Sequence, residues 1–229
     1  MIKEAIVLVG GKGTRLKSVS GDTPKPLVAV GGTPFLHYIL SQLSGAGFNR
    51  IVLAAGYRAE DFMGFLEDYQ YLGAEIIVSV EKQPLGTGGA IRLASDYLSG
   101  DSFLVVNGDT YSDVNLFEFL NYGVSHLPSL SLVGVYVDDA SRYGSLTLGE
   151  GDRVISMGEK SLRGPAFINS GLYYVSKMLI SGWGKGESFS FEKDVLESCD
   201  TKIYCYKSKG YFIDIGVPED YYKANNKFS

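Results

Sequence analysis

Ala5-Ile6-Val7-Leu8-Val9, running into Gly10-Gly11-Lys12-Gly13-Thr14-Arg15-Leu16 and then Pro24-Lys25-Pro26, decides how the chain is read. Five apolar residues without a polar alternate predict a strand covered on both faces. The strand ends in a loop of three glycines, and the fixed cations Arg15 and Lys25 follow within a few residues. Glycine lets a backbone turn sharply and bring its amides up to phosphate oxygens. Arginine adds a forked donor and lysine a point charge for the same oxygens. The loop suits a nucleoside triphosphate. Spacing excludes two familiar phosphate loops: the dinucleotide fingerprint needs glycine where Leu16 stands, and the P-loop needs Ser or Thr where Gly13 follows Lys12.

Outward from this stretch, apolar runs alternate with helical patterns. Ala5–Val9, Ile51–Ala55, Ile76–Val80, Phe103–Asn107 and Ser131–Val137 are expected strands. Pro34–Leu43, Ala59–Tyr69, Gly88–Leu98 and Leu116–Tyr122 are the helices expected between them. This alternation predicts an α/β fold with a mostly parallel sheet and helices on both faces. Beyond about residue 140, Ser145–Leu148 and Val154–Met157 are expected to form a hairpin through Gly149-Glu150-Gly151-Asp152. Phe167–Val175 is a further strand, and Phe189–Leu196 and Glu219–Asn225 are further helices. No linker or repeat interrupts, so one domain is expected. Residues up to about 138 would serve nucleotide and metal, and those from about 139 to 229 the second substrate.

Composition narrows the function. A net charge of −5 argues against nucleic acid or an anionic membrane as partner. Cys199 and Cys205 have no metal-ligand spacing, so they are expected to be idle thiols of a reduced protein. The first apolar run is too short for a signal-peptide core and no stretch could span a bilayer, so a cytoplasmic protein is expected. Sixteen tyrosines would suit a homo-oligomer interface. His37, His126 and Trp183 are read as packing or surface, and Asp96, Asp194 and Asp200 as solvated helix charges.

In an open α/β sheet, ligands sit beyond the carboxyl ends of the strands. Asp109, in Val106-Asn107-Gly108-Asp109-Thr110, ends the fourth strand on the same rim as the glycine loop. Beside phosphates a carboxylate needs an intervening cation, and Mg²⁺ favours one or two carboxylates plus phosphate oxygens. That reading is preferred over a turn cap. Asp214, inside the apolar Phe212-Ile213-Asp214-Ile215, is the second candidate ligand, with a cap on the helix near Pro218 as the alternative. In Glu81-Lys82-Gln83-Pro84-Leu85-Gly86-Thr87-Gly88-Gly89-Ala90, Gly86 and Thr87 could present backbone groups to a base. Either Glu81 or Gln83 could reach the base edge, and Glu81 would favour guanine. A plain helix start with flexible glycines is the alternative. For the second substrate, Glu159-Lys160, Asn169 and Gly144 (within Arg142-Tyr143-Gly144-Ser145) are candidates.

These blocks in this order make the whole chain resemble the sugar-1-phosphate nucleotidyltransferases. They are Gly11-Lys12-Gly13-Thr14-Arg15, Pro24-Lys25-Pro26, Leu85-Gly86-Thr87-Gly88-Gly89, Asn107-Gly108-Asp109, Glu159-Lys160 and Asp214-Ile215-Gly216. Leu85–Ile91, Arg142–Ser145, Ile168–Tyr174 and Tyr211–Tyr221 are most similar to the D-glycero-α-D-manno-heptose 1-phosphate guanylyltransferases. The resemblance implies a Rossmann-like, GT-A-like nucleotidyltransferase fold, Mg²⁺ dependence and supply of GDP-heptose for surface glycans. The family's Pro-Leu-Thr after the arginine is absent; Leu16-Lys17-Ser18 stands there.

In the chemistry implied, a sugar 1-phosphate attacks the α-phosphorus of GTP. The amides of Gly10, Gly11, Gly13 and Thr14, with Arg15, would hold the β- and γ-phosphates. Lys25 would bridge toward the α-phosphate, Asp109 and Asp214 would fix Mg²⁺, and Lys160 would anchor the sugar phosphate beside Glu159 and Asn169. Mannose, glucose or N-acetylmuramate 1-phosphate with GTP, dTTP or UTP is the alternative, and a non-catalytic nucleotide-binding module is another. A glycosyltransferase is disfavoured because Asp109-Thr110-Tyr111 breaks its Asp-x-Asp, and a molybdenum-cofactor guanylyltransferase because Pro24-Lys25-Pro26 and Glu159-Lys160 fit a sugar phosphate better.

Overall fold

The first apolar run becomes β1 (Glu4–Leu8), paired on both sides near the middle of a seven-stranded sheet. The computed structural model describes residues 3–11, 14–56, 58–71, 73–127, 129–158, 164–198 and 201–228. After β1 come α1 (Lys17–Ser20), the two-residue strands β2 (Ala29–Val30) and β3 (Thr33–Pro34), and α2 (Phe35–Gly45). β4 (Arg50–Ala55), α3 (Ala59–Asp68), β5 (Glu75–Val80), α4 (Gly86–Ala94) and β6 (Ser102–Asn107) follow. Then come β7 (Thr110–Ser112), α5 (Leu116–Ser125), β8 (Leu130–Val137), β9 (Leu146–Leu148), β10 (Val154–Met157) and β11 (Ala166–Ser176). The chain ends with α6 (Lys177–Ile180), β12 (Ile203–Ser208), β13 (Phe212–Asp214) and α7 (Pro218–Phe228).

The sheet order is β12-β8-β11-β6-β1-β4-β5. Only β11 opposes its neighbours, β6 and β8; the other pairings are parallel. Successive β1 side chains divide between two cores. Ala5 and Val7 join Phe35, Phe62 and Phe119 on the α2, α3, α5 and α7 side, while Ile6 joins Ile91, Phe103 and Phe191 on the α4 side. Each fully buried phenylalanine contributes about 1.5–3 kcal/mol, so both layers are held by apolar burial. The mostly parallel α/β sheet with helices on both faces is therefore as expected.

The early strands, α2, α3, α5 and the β9–β10 hairpin form where the pattern put them. α4 starts two residues earlier than expected and passes into a tighter turn at Ser95–Tyr97. The expected helix 189–196 is a single wide turn, Phe191–Leu196. β12 was not expected, although Ile203 and Cys205 are buried while Tyr204 and Tyr206 are less so, a period of two. Burial pushes the Cys205 thiol up to about 12, so it is inert. Cys199 lies outside the described residues. Among the described residues no helix is long and apolar enough to cross a membrane.

At the amino end of the sheet, the Glu4 carboxylate accepts hydrogen bonds from the Ser99 and Gly100 amides and the Ser99 hydroxyl. Burial alone would raise its pKa. The Gly100 and Ser99 donors and the Arg50 charge outweigh burial, so it sits below the ordinary glutamate value. A lowered folded pKa contributes stability above the unfolded value, and that contribution is lost as pH falls through the folded one. Glu4→Gln is expected to cost about 1–3 kcal/mol at neutral pH. In urea titrations of both proteins the difference should shrink below pH 4–5, roughly the range of glutamate protonation. A pH-independent difference would assign the loss to packing.

Candidate active site

β1 and β6 end side by side where the strand order reverses: β4 and β5 extend to one side of β1, and β6 returns on the other. Val9 and Gly10 turn out of β1 by donating both amides to the Ala54 carbonyl, each at 3.1 Å. Gly11 has φ of 120°, which favours glycine, and Arg15 projects as an exposed side chain from a short turn pinned by the buried Leu16. Lys12 and Gly13 and the side chain of Thr14 lie outside the described residues. Opposite, Gly108 donates its amide to the Leu8 carbonyl at 2.9 Å. A Cβ on Gly108 would fall 2.7 Å from that carbonyl, so the approach that sets Asp109 beside the loop requires glycine.

Pro24 and Pro26, both buried, fix the turn that carries Lys25. The Lys25 Nζ lies 2.7 Å from Asp109 Oδ2, with the lysine side chain 12% and the aspartate 33% exposed. β13 pairs antiparallel with β7, placing Asp214 opposite Thr110, and the Ile215 amide donates to the Asp109 carbonyl at 3.0 Å. The sequence thus brings two distant carboxylates to one point. Burial and then the Asp109 charge raise the Asp214 pKa, while the Gly216 amide, Lys25 and Arg15 act the other way. Asp214 accepts from Gly216 rather than from the first turn of α7. Two neighbouring carboxylates fit a divalent cation that takes its remaining ligands from phosphate and water. Among the described residues no group of three or more metal-binding side chains competes.

The second glycine cluster serves packing. A Cβ on Gly86, Gly88 or Gly89 would strike the Phe189 carbonyl, the Phe189 ring or the Glu187 carbonyl respectively. Gly88 spends its amide on the Phe189 carbonyl at 3.0 Å. The expectation that Glu81 reads a base meets a competing use. Its carboxylate accepts the Leu85 amide at 3.0 Å and lies against Gly56, holding the entry to α4. Gln83 is exposed. Thr87 does face the site: a cleft of about 190 Å³ is lined by Gly10, Gly11, Lys25, Thr87, Asn107, Asp109 and Glu192 among others. The sequence reading missed Glu192. Its signal was Ser190, whose hydroxyl caps the following turn by accepting the Lys193 amide at 3.2 Å.

Of the candidates for the second substrate, Glu159 and Lys160 lie outside the described residues. Asn169 sits beside an irregularity in β11 with its amide engaged locally, donating to the Tyr173 hydroxyl at 2.9 Å and accepting from Gly171 at 3.0 Å. Gly144 lies against the Gly158 carbonyl, 3.1 Å from where a Cβ would stand. Arg142 clamps Asp220 at 2.6 Å and so ties α7 to this segment. Asp194 accepts the Ser190 amide, and Asp96 pairs with Arg92 and Lys185, so both do more than meet solvent. Asp200 lies outside the described residues. Trp183 packs on Phe189 and Phe191, His37 on Tyr38, Tyr69 and Tyr71, and His126 on Tyr122 and Tyr204, the packing roles expected.

The model of the Nucleotidyl transferase family matches residues 4–229. A D-glycero-alpha-D-manno-heptose 1-phosphate guanylyltransferase of Aneurinibacillus thermoaerophilus is 38% identical over 229 residues, spanning 98% of this chain and 97% of its own. A mannose-1-phosphate guanylyltransferase of Mycobacterium tuberculosis is 35% identical over 97% of this chain and 63% of its own. The crystal structure of HddC from Yersinia pseudotuberculosis complexed with GMP-PN is 42% identical, with a TM-score of 0.91 and all of both chains covered.

A carboxylate whose folded pKa is raised costs stability as pH rises from the unfolded value through the folded one. Asp214→Asn is therefore expected to raise the Tm of the ligand-free protein at neutral pH. The gain should fade in acid, once the native carboxyl is protonated. Thermal melts at several pH values check this, and a lower Tm at neutral pH would show that the Asp214 charge is held favourably.

Proposed function

Because this chain belongs to the nucleotidyl transferase family, we propose that it transfers the guanylyl group of GTP to D-glycero-α-D-manno-heptose 1-phosphate. The products are GDP-heptose, for surface glycan synthesis, and pyrophosphate. The observation that carries this reading is the Lys25–Asp109 ion pair beside Asp214, at the mouth of the glycine loop. The choice of guanine and heptose draws on the names of full-length relatives.

A phosphate oxygen of the sugar 1-phosphate attacks the α-phosphorus in line. That P–O bond forms as the bond to the β-phosphate oxygen breaks, and the electron pair leaves with pyrophosphate. The attacking phosphate is already ionised, so no general base is required. Both reactants are anions, so rate comes from positioning and charge neutralisation. The loop amides and Arg15 hold the β- and γ-phosphates. Lys25 shares its ammonium between Asp109 and the α-phosphate. Asp109 and Asp214 would hold Mg²⁺, which when bound supplies neutralisation of the triphosphate and the leaving pyrophosphate. Glu159, Lys160 and Asn169 serve the sugar phosphate, so the chain up to about residue 138 handles nucleotide and metal and the remainder the acceptor. These are soluble small molecules, and we place the reaction in the cytoplasm.

The test is pyrophosphate release with Mg²⁺, crossing GTP, UTP, dTTP, CTP and ATP with heptose, mannose, glucose and N-acetylglucosamine 1-phosphates. GTP with the heptose should dominate; another preferred pair would keep the mechanism and replace the substrates. Lys25→Ala should lower kcat by about 100-fold or more, as loss of a preorganised charge donor does. Asp109→Asn should lower kcat far more than it lowers Tm. Near-normal turnover of Asp109→Asn would exclude the metal role.

A further inference from the structure

Glu192 has a use that the transfer chemistry does not require. Its carboxylate lines the cleft together with Thr87, Asp109 and Lys25. One oxygen, Oε2, is held by two hydroxyls, Thr87 Oγ1 at 2.6 Å and Ser190 Oγ at 3.1 Å. The direction of the Thr87 bond is set, because the Phe191 amide donates to the same hydroxyl at 2.8 Å and leaves its proton for Glu192. Among the described residues the other oxygen, Oε1, takes no hydrogen bond, and no cation pairs with this carboxylate. The group is thus oriented by its hydroxyl partners and half-buried in the cleft wall.

An ionised carboxylate is an acceptor only. It repels phosphate and is met by a cation or a hydroxyl donor; with the cation assigned to Asp109 and Asp214, the hydroxyls that both substrates offer are the partners left for it. The in-line geometry decides between them. Leaving pyrophosphate rests on the glycine loop and Arg15, so the entering group must come from the side of the cleft that the loop does not supply. Thr87 and Glu192 line the same cleft but come from other elements, α4 and the turn Phe191–Leu196. Tyr173, fully buried, supports the placement: its ring packs edge-on against Phe191, the residue before Glu192, at 5.0 Å, and its hydroxyl accepts from Asn169 at 2.9 Å. Glu192 therefore lies close to the Tyr173–Asn169 side of the site.

We propose that Glu192 is a specificity-determining residue that accepts a hydrogen bond from a ring or side-chain hydroxyl of the acceptor sugar, with Thr87 holding the carboxylate in place. The assignment rests on the reading above that the acceptor is a sugar phosphate. Hydrogen bonds to charged groups are the stronger kind, and a site built around one rejects a ligand that lacks the donor.

The experiment is calorimetric binding of GDP and of GDP-D-glycero-α-D-manno-heptose to the full chain and to Glu192→Ala, Glu192→Gln and Thr87→Val. GDP carries the ribose and base without the sugar. Glu192→Ala should weaken GDP-heptose by about 10- to 100-fold, as losing a hydrogen bond to a charged group does, and leave GDP unchanged. Glu192→Gln, which keeps volume and one acceptor, and Thr87→Val should show smaller losses confined to GDP-heptose. Equal loss of both ligands in Glu192→Gln would place the carboxylate on the ribose or base and overturn the proposal. Unchanged affinity for both would overturn it too, as would a parent chain that binds GDP-heptose no tighter than GDP. If no sugar phosphate supports pyrophosphate release but the selective loss persists, the transfer reading falls and the Glu192 assignment stands.

Discussion

Asp109 and Asp214 are held side by side against their mutual repulsion, and the short β7–β13 ribbon is what holds them. Neither strand belongs to the seven-stranded sheet. The ribbon aligns Asp214 with Thr110, Ile213 with Tyr111 and Phe212 with Ser112, and the Asp113 amide closes onto the Tyr211 carbonyl at 2.8 Å. From this ribbon the chain turns through Gly216 into α7, which reaches back to the front of the site. The Tyr221 hydroxyl donates to the Ala29 carbonyl at 3.0 Å, and Asn225 accepts the Gly31 amide at 2.9 Å. Asp220, buried, takes Arg142 and Lys223. One strand pair therefore sets the carboxylates and, through α7, braces the segments next to the Lys25 turn and Gly144.

The electrostatics follow from that constraint. The chain carries a net charge of −5, yet both proposed substrates are anions. Long-range attraction is not available, so the cations must be local and aimed. Lys25 is the aimed one: two buried prolines fix its turn, and its ammonium sits on Asp109. Arg15, exposed on its short turn, is close enough for its charge to act on Asp214. Burial first, and then the Asp109 charge, raise the Asp214 pKa against the pull of these two cations. A pair of carboxylates, one of them buried, placed where phosphates are to bind is suited to receiving those phosphates together with a divalent cation.

Much of this was legible in the sequence because it is local. The glycine loop, the alternation of runs and helices, and the position of Asp109 at a strand end follow from periodicity and turn chemistry within short windows. What was not legible depends on partners far along the chain. Nothing near Asp214 announces the β7 edge about a hundred residues earlier. β12 was overlooked because Ile203-Tyr204-Cys205-Tyr206 spreads its alternation over large aromatic residues that hide which face is buried. The block around Gly144 suggested a substrate approach, and nothing near it announces that the Arg142 charge is spent on Asp220, a contact 78 residues away. Glu81 suggested a base reader, but a carboxylate four residues before an amide at a helix start is just as well placed to hold that amide, and here it does.

The glycines at 86, 88 and 89 carry a packing role that the sequence did not announce. Backbone groups presented to a base, or a plain helix start with flexible glycines, were the two readings of this segment. In the folded chain the glycines are required because the 187–191 segment lies directly on α4, with the Phe189 ring and carbonyl where Cβ atoms would otherwise stand. The Gly88 amide and the Leu85 carbonyl lock that segment to the helix at 3.0 Å each. Two residues beyond Phe189 the chain enters its wide turn, and Glu192 emerges against Thr87. The glycines thus act on the cleft at second hand. They permit a close approach, the approach fixes the segment, and the segment delivers a carboxylate to the wall. A glycine cluster after a strand accordingly specifies a distance between backbones, and the ligand must be sought among whatever that distance brings into place.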